Sequence, residues 1–274
     1  MGIGCPRFHF SLMELSMLPD IAFFDAIAEA AAAETLPRFR MPVTIDNKQA
    51  GGFDPVTEAD RAAEKAIRQL ITERYPEHGI LGEEHGDVGL NRDYVWVIDP
   101  IDGTRAFISG LPVWGTLVGL YHKGKAVMGM MDQPFTGERF IAIPGEAAVK
   151  RNGVSSPLCT RKNVSLGQAI MMTTSPMIFP EALEPSYKRV EASVQLARYG
   201  CDCYAYAMVA SGHVDLVVES DLKPYDVGGL IPLVEQAGGV MTTWSGDRPE
   251  MGGSIVASGS AALHEAVLEE LNRN

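Results

Sequence analysis

Segments with the apolar spacing of helices alternate with short strand-like runs along most of this chain, and this alternation restricts the possible folds more than any other feature. Ile21, Phe24 and Ile27 recur at helical spacing, whereas Tyr94 to Ile98 form a compact run typical of a strand. Such a mixture buries its apolar faces by packing helices and sheets in layers. With 274 residues, 46% of them hydrophobic, the chain can form a substantial core. The sequence therefore predicts a layered fold of α and β elements.

The same patterning predicts the individual elements and a division of the chain. Helices are predicted over 20–36, 57–75, 186–198, 203–210, 226–237 and 261–271, and strands over 94–98, 113–121, 126–131, 139–143, 170–174, 214–219, 240–243 and 254–257. The turn-rich stretch 145–157 predicts a boundary between an N-terminal lobe, residues 19–146, and a C-terminal lobe, residues 147–274. Residues 1–18 are expected to form a poorly ordered extension, which leaves Met1, Met13 and Met17 as alternative starts.

The charge balance limits the classes of partner. The 23 basic and 35 acidic residues give a net charge of −12, which disfavours binding to nucleic acids or to an anionic membrane. The sequence contains no apolar run long enough for a membrane span. Its four cysteines, Cys5, Cys159, Cys201 and Cys203, lack the spacing of a disulfide framework, so we expect a reduced, cytoplasmic protein. An acidic protein can still bind a phosphorylated metabolite when metal ions supply positive charge.

The segment Asp99-Pro100-Ile101-Asp102-Gly103-Thr104 directly follows a predicted strand and is the main candidate for chemistry. Two carboxylates held close together repel each other unless a cation lies between them, and Mg²⁺ prefers such oxygen ligands. Taken alone, the segment is more typical of a capped turn. Phosphatases with an aspartyl nucleophile generally have their two aspartates two positions apart, whereas these are three apart. The spacing therefore favours a metal-bound water as the nucleophile over Asp99.

Three further acidic positions have ordinary structural explanations when each is considered alone. Glu83 in Gly82-Glu83-Glu84 is typical of a solvated turn. Asp226 is typical of an acid in the first turn of a helix, where the helix dipole favours a negative charge. Asp60 stands three residues after Thr57, which is the spacing of an N-terminal capping box. Their occurrence together with the central motif is what changes the interpretation.

In combination, these motifs resemble the inositol monophosphatase family from about Pro19 onward. The resemblance is carried by Asp54-Pro55-Val56-Thr57-Glu58-Ala59-Asp60, by Gly82-Glu83-Glu84, by the segment from Trp96 to Thr104, and by Tyr225-Asp226-Val227-Gly228-Gly229 followed by Glu235-Gln236-Ala237-Gly238-Gly239. It implies a layered αβαβα sandwich of the inositol monophosphatase and fructose-1,6-bisphosphatase type. It also implies a Mg²⁺-dependent phosphomonoester hydrolase that acts on a small phosphorylated metabolite, often as a homodimer.

The resemblance also implies roles for single residues. The positions matching the family's metal ligands, which would hold two or three Mg²⁺ ions, are Glu83, Asp99, Asp102, Asp226 and the carbonyl of Ile101. Thr104 matches the threonine that orients the attacking water, and Asp60 matches the acid that hydrogen-bonds this threonine. With Glu83 they are the expected catalytic residues. The backbone amides of Gly103 and Thr104 would receive oxygen atoms of the phosphate.

Departures from the usual family pattern bear on the substrate. Tyr225 replaces the usual tryptophan, and Arg105-Ala106-Phe107 replaces Thr-Asn-Phe. Together with Gly110-Leu111-Pro112-Val113-Trp114-Gly115 and Gln133-Pro134, this looks more like the histidinol-phosphate phosphatase branch. Asp202 and Glu219 are the candidates that could pair with the ammonium of L-histidinol phosphate. Alternatively, Glu219 simply ends a strand and Asp202 caps the next helix.

Two other functions stay open on the sequence. The first is an inositol-1-monophosphatase or a broader sugar-phosphate phosphatase with the same metal site. The second is a non-catalytic regulator that binds metal or phosphate. A regulator would be expected to lose at least one metal ligand, yet the four matching carboxylates are all present.

Overall fold

The computed structural model describes residues 18–42, 44–47 and 55–273. The helices are α1 (Ile21–Thr35), α2 (Glu58–Arg74), α3 (Thr104–Ile108), α4 (Glu184–Ser193), α5 (Asp202–Ala210), α6 (Pro224–Gly228), α7 (Leu230–Gln236) and α8 (Ala261–Asn272), with a 3₁₀ turn at Leu166–Gln168. The strands are β1 (Ile45–Asn47), β2 (Pro55–Thr57), β3 (Gly79–Gly82), β4 (Tyr94–Asp102), β5 (Gly115–His122), β6 (Lys125–Gln133), β7 (Glu138–Ile143), β8 (Glu146–Arg151), β9 (Val154–Pro157), β10 (Ile170–Thr173), β11 (Leu196–Tyr199), β12 (Leu216–Leu222), β13 (Val240–Thr243) and β14 (Gly253–Ser258).

The larger sheet has seven strands in the order β3-β4-β5-β6-β7-β8-β9. β3 runs parallel to β4, and the other neighbours are antiparallel. Successive residues of β4 point to opposite faces: Trp96 packs with Phe24 and Ile67 of α1 and α2, whereas Val97 belongs to the core that includes Leu230 of α7. Helices therefore cover both faces of this sheet, as strands buried on both sides require.

The smaller sheet has five strands in the order β11-β10-β12-β14-β13. Val217 of β12 packs with α5 and α7 between the two sheets, while its neighbour Val218 packs with Tyr187 of α4 and Val267 of α8 on the outer face. The layers follow one another as α, β, α, β, α. The predicted αβαβα sandwich is therefore confirmed.

Three sequence predictions differ from the observed elements. The stretch 145–157 forms β8 and β9, joined at Asn152 and Gly153, which both have positive φ as a tight hairpin turn requires. The larger sheet thus continues past residue 146, and the division into two lobes stays a prediction. The helix predicted over 186–198 ends at Ser193, because Leu196–Tyr199 pairs in parallel with β10 as strand β11. The helix predicted over 226–237 is interrupted at Gly229 and forms α6 and α7.

Some predictions from the sequence concern residues outside the described ranges. The proposed extension up to residue 17, with the alternative starts at Met1, Met13 and Met17, lies there, as do Cys5 and Asp54. Among the cysteines within the described ranges, Cys159, Cys201 and Cys203 form no disulfide. No described helix combines the length and the apolar run that crossing a membrane demands.

Candidate active site

The central motif lies at the end of β4 and continues into the first residue of α3. The pairing of β4 with β5 shifts register between Asp99 and Asp102, so the chain leaves the regular ladder at this point. The amide of Ile101 donates to Asp99 Oδ1 over 3.0 Å, which fixes the carboxylate against its own backbone. Gly103 has φ 82°, a conformation that favours glycine, and α3 begins at the next residue. The strand therefore presents both aspartates on one rigid turn.

Asp226 reaches the same place from a distant part of the sequence. It lies in the first turn of α6, where the amide of Lys223 donates to Asp226 Oδ2 over 2.6 Å. A Cβ atom at Gly119 of β5 would overlap the backbone of Gly228, so this helix can lie directly on the sheet only because Gly119 has no side chain. Asp99, Asp102 and Asp226 can each offer an oxygen atom within 4.8 Å of the others.

Glu83 joins this cluster from the loop after β3. Its amide donates to the carbonyl of Ile98 over 3.2 Å, which ties the loop to β4. Burial raises the pKa of Asp99, and the neighbouring Glu83 carboxyl group raises it further. The structure thus brings together the four carboxylates that were predicted to be metal ligands. The fifth predicted ligand, the Ile101 carbonyl, accepts a hydrogen bond from Thr104 Oγ1 over 3.1 Å.

The electrostatics of the cluster fit a cation. Burial raises the pKa of Asp99 well above its usual range, and the charges of Glu83, Asp102 and Asp226 raise it further. Burial likewise raises the pKa of Asp102, together with the charges of Asp202 and Asp226. Crowded buried carboxylates of this kind are stabilised in ionised form by a divalent cation, and oxygen-only ligands suit a hard ion. The residues present therefore fit a metal centre.

Asp60 both caps α2 and faces Thr104, the two roles considered for it from the sequence. Its Oδ2 accepts from the amide and the hydroxyl of Thr57, over 2.8 and 2.6 Å, so the predicted capping box of α2 is confirmed. Its Oδ1 lies 3.5 Å from Thr104 Oγ1. Burial raises the pKa of Asp60 to about 6. One carboxylate thus starts the helix with one oxygen and faces Thr104 with the other.

Asp202 and Glu219 both contact Thr174. Glu219 is almost fully buried and accepts three hydrogen bonds: from the Thr174 amide over 2.8 Å, the Thr174 hydroxyl over 2.6 Å and the Tyr206 hydroxyl over 2.9 Å. Thr174 Oγ1 also lies 3.2 Å from Asp202 Oδ1. Burial raises the pKa of Glu219 to about 7. Asp202 is only half-buried, and its φ of 40° is rare for a residue other than glycine.

Several of these acids line one cavity of about 270 Å³. Its walls include Asp102, Gly103, Thr104, Arg105, Thr174, Asp202, Tyr206, Glu219, Asp221 and Asp226. The cavity extends from the three-aspartate cluster to the pair formed by Asp202 and Glu219. Its size suits a small metabolite.

The structure adds contacts that sequence reasoning missed. The amide of Cys203 donates to Asp102 Oδ2 over 2.7 Å, so the start of α5 holds a carboxylate of β4. Thr174 and Tyr206 support Glu219 as described above. No local motif predicts the contacts of Cys203, Thr174 and Tyr206, because their partners lie elsewhere in the sequence. Of the residues in these contacts, the sequence analysis named Asp102 and Glu219 but not Cys203, Thr174 or Tyr206.

Comparisons with known proteins show the family to which this chain belongs. The family model described as "Inositol monophosphatase family" matches residues 18–274. The chain is 44% identical over 258 residues to "Bifunctional phosphatase IMPL2, chloroplastic" of Arabidopsis thaliana, covering 90% of this chain and 73% of that protein. It is 33% identical to a "Histidinol-phosphatase" of Chlorobaculum parvum, covering 90% and 94%.

A solved structure of an inositol monophosphatase from Zymomonas mobilis is also similar to this chain. It has a TM-score of 0.81 and 38% identity, and the match covers 92% of this chain and 97% of that one. The sequence resemblance is thus confirmed over almost the whole length. The chain belongs to the inositol monophosphatase family of phosphomonoester hydrolases, which are generally metal-dependent.

Proposed function

We propose that this hydrolase is a Mg²⁺-dependent histidinol-phosphate phosphatase, which converts L-histidinol phosphate to L-histidinol and phosphate. The similarity to a protein named histidinol-phosphatase supports this substrate, as does a second protein of that name from Mycobacterium tuberculosis, 32% identical over 258 residues. The observation that carries the proposal is the acidic pair Asp202 and Glu219, which lines the same cavity as Asp102 and Asp226 of the three-aspartate cluster.

An acidic pair beside a metal centre suits a substrate with a positive charge next to its phosphate. L-histidinol phosphate carries an ammonium group, which a carboxylate binds through charge-assisted hydrogen bonds. Glu219 already accepts three hydrogen bonds within the protein, whereas Asp202 is half-buried and borders the cavity. We therefore assign the direct contact with the ammonium to Asp202. Glu219 would support it by orienting Thr174.

The residues that would hold two or three Mg²⁺ ions are the carboxylates of Glu83, Asp99, Asp102 and Asp226 and the carbonyl of Ile101. Bound Mg²⁺ would supply the positive charge that a phosphate needs in this acidic cavity and would lower the pKa of water. The grouping of three aspartates within 4.8 Å supports this assignment.

The chain's own groups would orient the water and the phosphate. The hydroxyl of Thr104 lies between the Ile101 carbonyl and Asp60, so its hydrogen points into the protein and a lone pair stays available to a water molecule. The amides of Gly103 and Thr104 are proposed to bind phosphate oxygen atoms. Hydrolysis then forms one phosphorus–oxygen bond from water and breaks the ester bond, while the alcohol leaves with a proton. Alignment of water, phosphate and leaving oxygen is the protein's main contribution.

The test is a comparison of substrates with and without Mg²⁺. We expect phosphate release from L-histidinol phosphate to exceed that from inositol 1-phosphate. The variant Asp202→Asn should raise KM for L-histidinol phosphate by at least about tenfold, since it removes one charge-assisted contact. KM for inositol 1-phosphate, which has no ammonium, should change little.

Asp221→Asn is the matched control, because Asp221 also borders the cavity but its side chain is 80% exposed and pairs with Lys223. Equal losses on both substrates would contradict the ammonium contact. A preference for inositol 1-phosphate would favour the inositol-type alternative, and no turnover of any ester with Mg²⁺ would favour a non-catalytic regulator. The homodimer and the cytoplasmic location stay predictions.

A further inference from the structure

Helix α2 clamps the loop that carries Glu83, and its main contact is a buried carboxylate outside the predicted site. The side chain of Glu64 has no exposed surface. Its Oε2 accepts from the amide of Glu84 over 2.7 Å, and its Oε1 accepts from the amide of His85 over 3.2 Å. These amides directly follow Glu83. Glu64 thus holds the backbone of the loop just beyond that residue.

The clamp has further contacts at both ends of the loop. Arg68, one turn along α2, donates to Glu64 Oε1 over 2.6 Å and also contacts the carbonyl of Gly86. The ring of His85 lies 2.9 Å from the carbonyl of Arg61. On the opposite side, the Glu83 amide donates to Ile98 of β4. The loop is therefore bound to the helix beyond Glu83 and to the sheet at Glu83 itself.

Gly82 is required by the same contact. A Cβ atom at this position would overlap the carboxylate of Glu64 and the guanidinium of Arg68. The glycine of the Gly-Glu-Glu motif is thus explained by the close approach of Glu64 to the backbone. The carboxylate, the glycine and the loop form one packed unit.

Glu64 also lies on the face of α2 that serves the other half of the site. Asp60, four residues earlier and hence one turn away, faces Thr104. One helix therefore contacts both the start of α3 at Thr104 and the loop that carries Glu83. Asp60 also caps this helix, so the first turn of α2 fixes where Asp60 and Glu64 lie relative to each other.

We propose that Glu64 is a positioning residue: by binding the amides of Glu84 and His85 it holds the Glu83 carboxyl group against Asp99, in the place from which it would bind a metal. This inference rests on the proposed metal centre. Groups that orient a metal ligand typically change metal affinity by about 10- to 100-fold when they are removed. A group that only stabilises the fold would leave metal affinity unchanged in protein that stays folded.

The test is Glu64→Gln in the full chain, with Mg²⁺ affinity measured by titration calorimetry. The amide nitrogen of Gln cannot accept, so one loop amide loses its acceptor while the side-chain size is kept. We expect the dissociation constant for Mg²⁺ to rise by about 10-fold or more. The Mg²⁺ concentration for half-maximal phosphate release should rise in parallel, whereas kcat at saturating Mg²⁺ should recover.

Glu73→Gln is the matched control, since Glu73 lies on the same helix but is exposed and only pairs with Gln69. It should bind Mg²⁺ as the wild type does. If Glu64→Gln does not fold, Arg68→Gln replaces it, because this change removes the ion pair that orients Glu64 and keeps both acceptor oxygens. We then expect Mg²⁺ binding weaker by about threefold, the effect of part of one hydrogen bond.

Mg²⁺ affinity within twofold of the wild type in a folded Glu64→Gln or Arg68→Gln protein would overturn the inference. So would a wild-type protein that binds no Mg²⁺, because the metal centre itself would then be refuted. If the wild type binds Mg²⁺ but prefers another phosphate ester, only the substrate assignment fails. The affinity measurement separates these outcomes, since it needs no substrate.

Discussion

Two groups of buried acids in this molecule have contrasting surroundings. Asp132 has only 4% of its side chain exposed, and Arg139 donates to it over 2.8 Å. Arg161 and Arg248 pair in the same way with other buried acids, Asp215 and Glu235. In the active-site cluster, by contrast, no salt bridge of the described residues joins a Lys or Arg to Asp99, Asp102 or Asp226.

The difference separates buried acids that an arginine neutralises within the protein from those that fit a cation. At Asp132, burial raises the pKa but the charge of Arg139 lowers it. At Asp99, burial and every neighbouring charge named above raise the pKa. A buried charge without an opposite charge destabilises the folded protein unless an ion arrives from solution. The arginine pairs therefore belong to the scaffold, and the aspartate cluster is the group that we propose binds a metal.

The variant with the largest expected effect is Asp102→Asn. It should lower metal-dependent phosphate release by more than about 100-fold, which exceeds the usual effect of a residue that only orients a ligand. The melting temperature without metal should stay the same or rise, because one crowded charge is lost and the Asn oxygen can still accept from the Cys203 amide. Thermal unfolding in EDTA, together with a phosphate-release assay, measures both quantities. Retained activity would exclude Asp102 as a metal ligand.

Arg139→Met should lower stability without lowering activity, the opposite of Asp102→Asn. It leaves Asp132 buried without its cation, so the free energy of unfolding should fall by about 3 kcal/mol, while kcat of the protein that remains folded should stay unchanged. Urea unfolding measures the loss. Lys150→Met is the control, because Lys150 is 45% exposed and its pair with Asp25 should contribute less than about 1 kcal/mol. A small loss for Arg139→Met would remove the distinction between the two kinds of buried acid.

The smallest expected effect is the pH dependence of stability that is due to His264. This buried ring contacts neutral hydroxyl groups and, among the described residues, no charged partner. Its ring nitrogens lie 2.8 Å from Thr242 Oγ1 and 3.0 Å from Ser258 Oγ, and burial lowers its pKa to about 4. The unfolded chain, in which the pKa of histidine is about 6.5, therefore binds the proton more readily. Stability due to this group is complete above pH 6.5 and is lost as the pH falls toward 4. At pH 5.5 we expect a loss of about 1.4 kcal/mol.

The measurement is urea unfolding at pH 7.5 and 5.5 for the wild type and for His264→Gln. Because the variant lacks only this titrating group, the difference between the two pH dependences isolates it from the acids of the active site. A wild type and a variant that lose stability equally would show that the buried ring keeps its ordinary pKa.

Much of the fold could be predicted because its helices and strands have clear local patterns. The helix predicted over 57–75 is observed as Glu58–Arg74, with the predicted cap at Thr57. Strand β11 could not be predicted, since the polar segment before it continues a helical pattern and only pairing with β10 makes Leu196–Tyr199 extended. At the site, the sequence predicted the residues that belong to recognisable motifs. Glu64 was not predicted, although its spacing from Asp60 places it on the same helix face.

The sequence by itself determined the layered pattern, the family and the acidic residues of the four motifs, because short-range spacing and residue type are enough for each. Only the tertiary structure decided that Asp226 meets β4, since this depends on the close approach of Gly228 to Gly119 across more than a hundred residues. It also decided that Asp202 is more open than Glu219 and that Glu64 holds the Glu83 loop. Contacts of this kind arise from the packing of distant elements, and no local pattern records them.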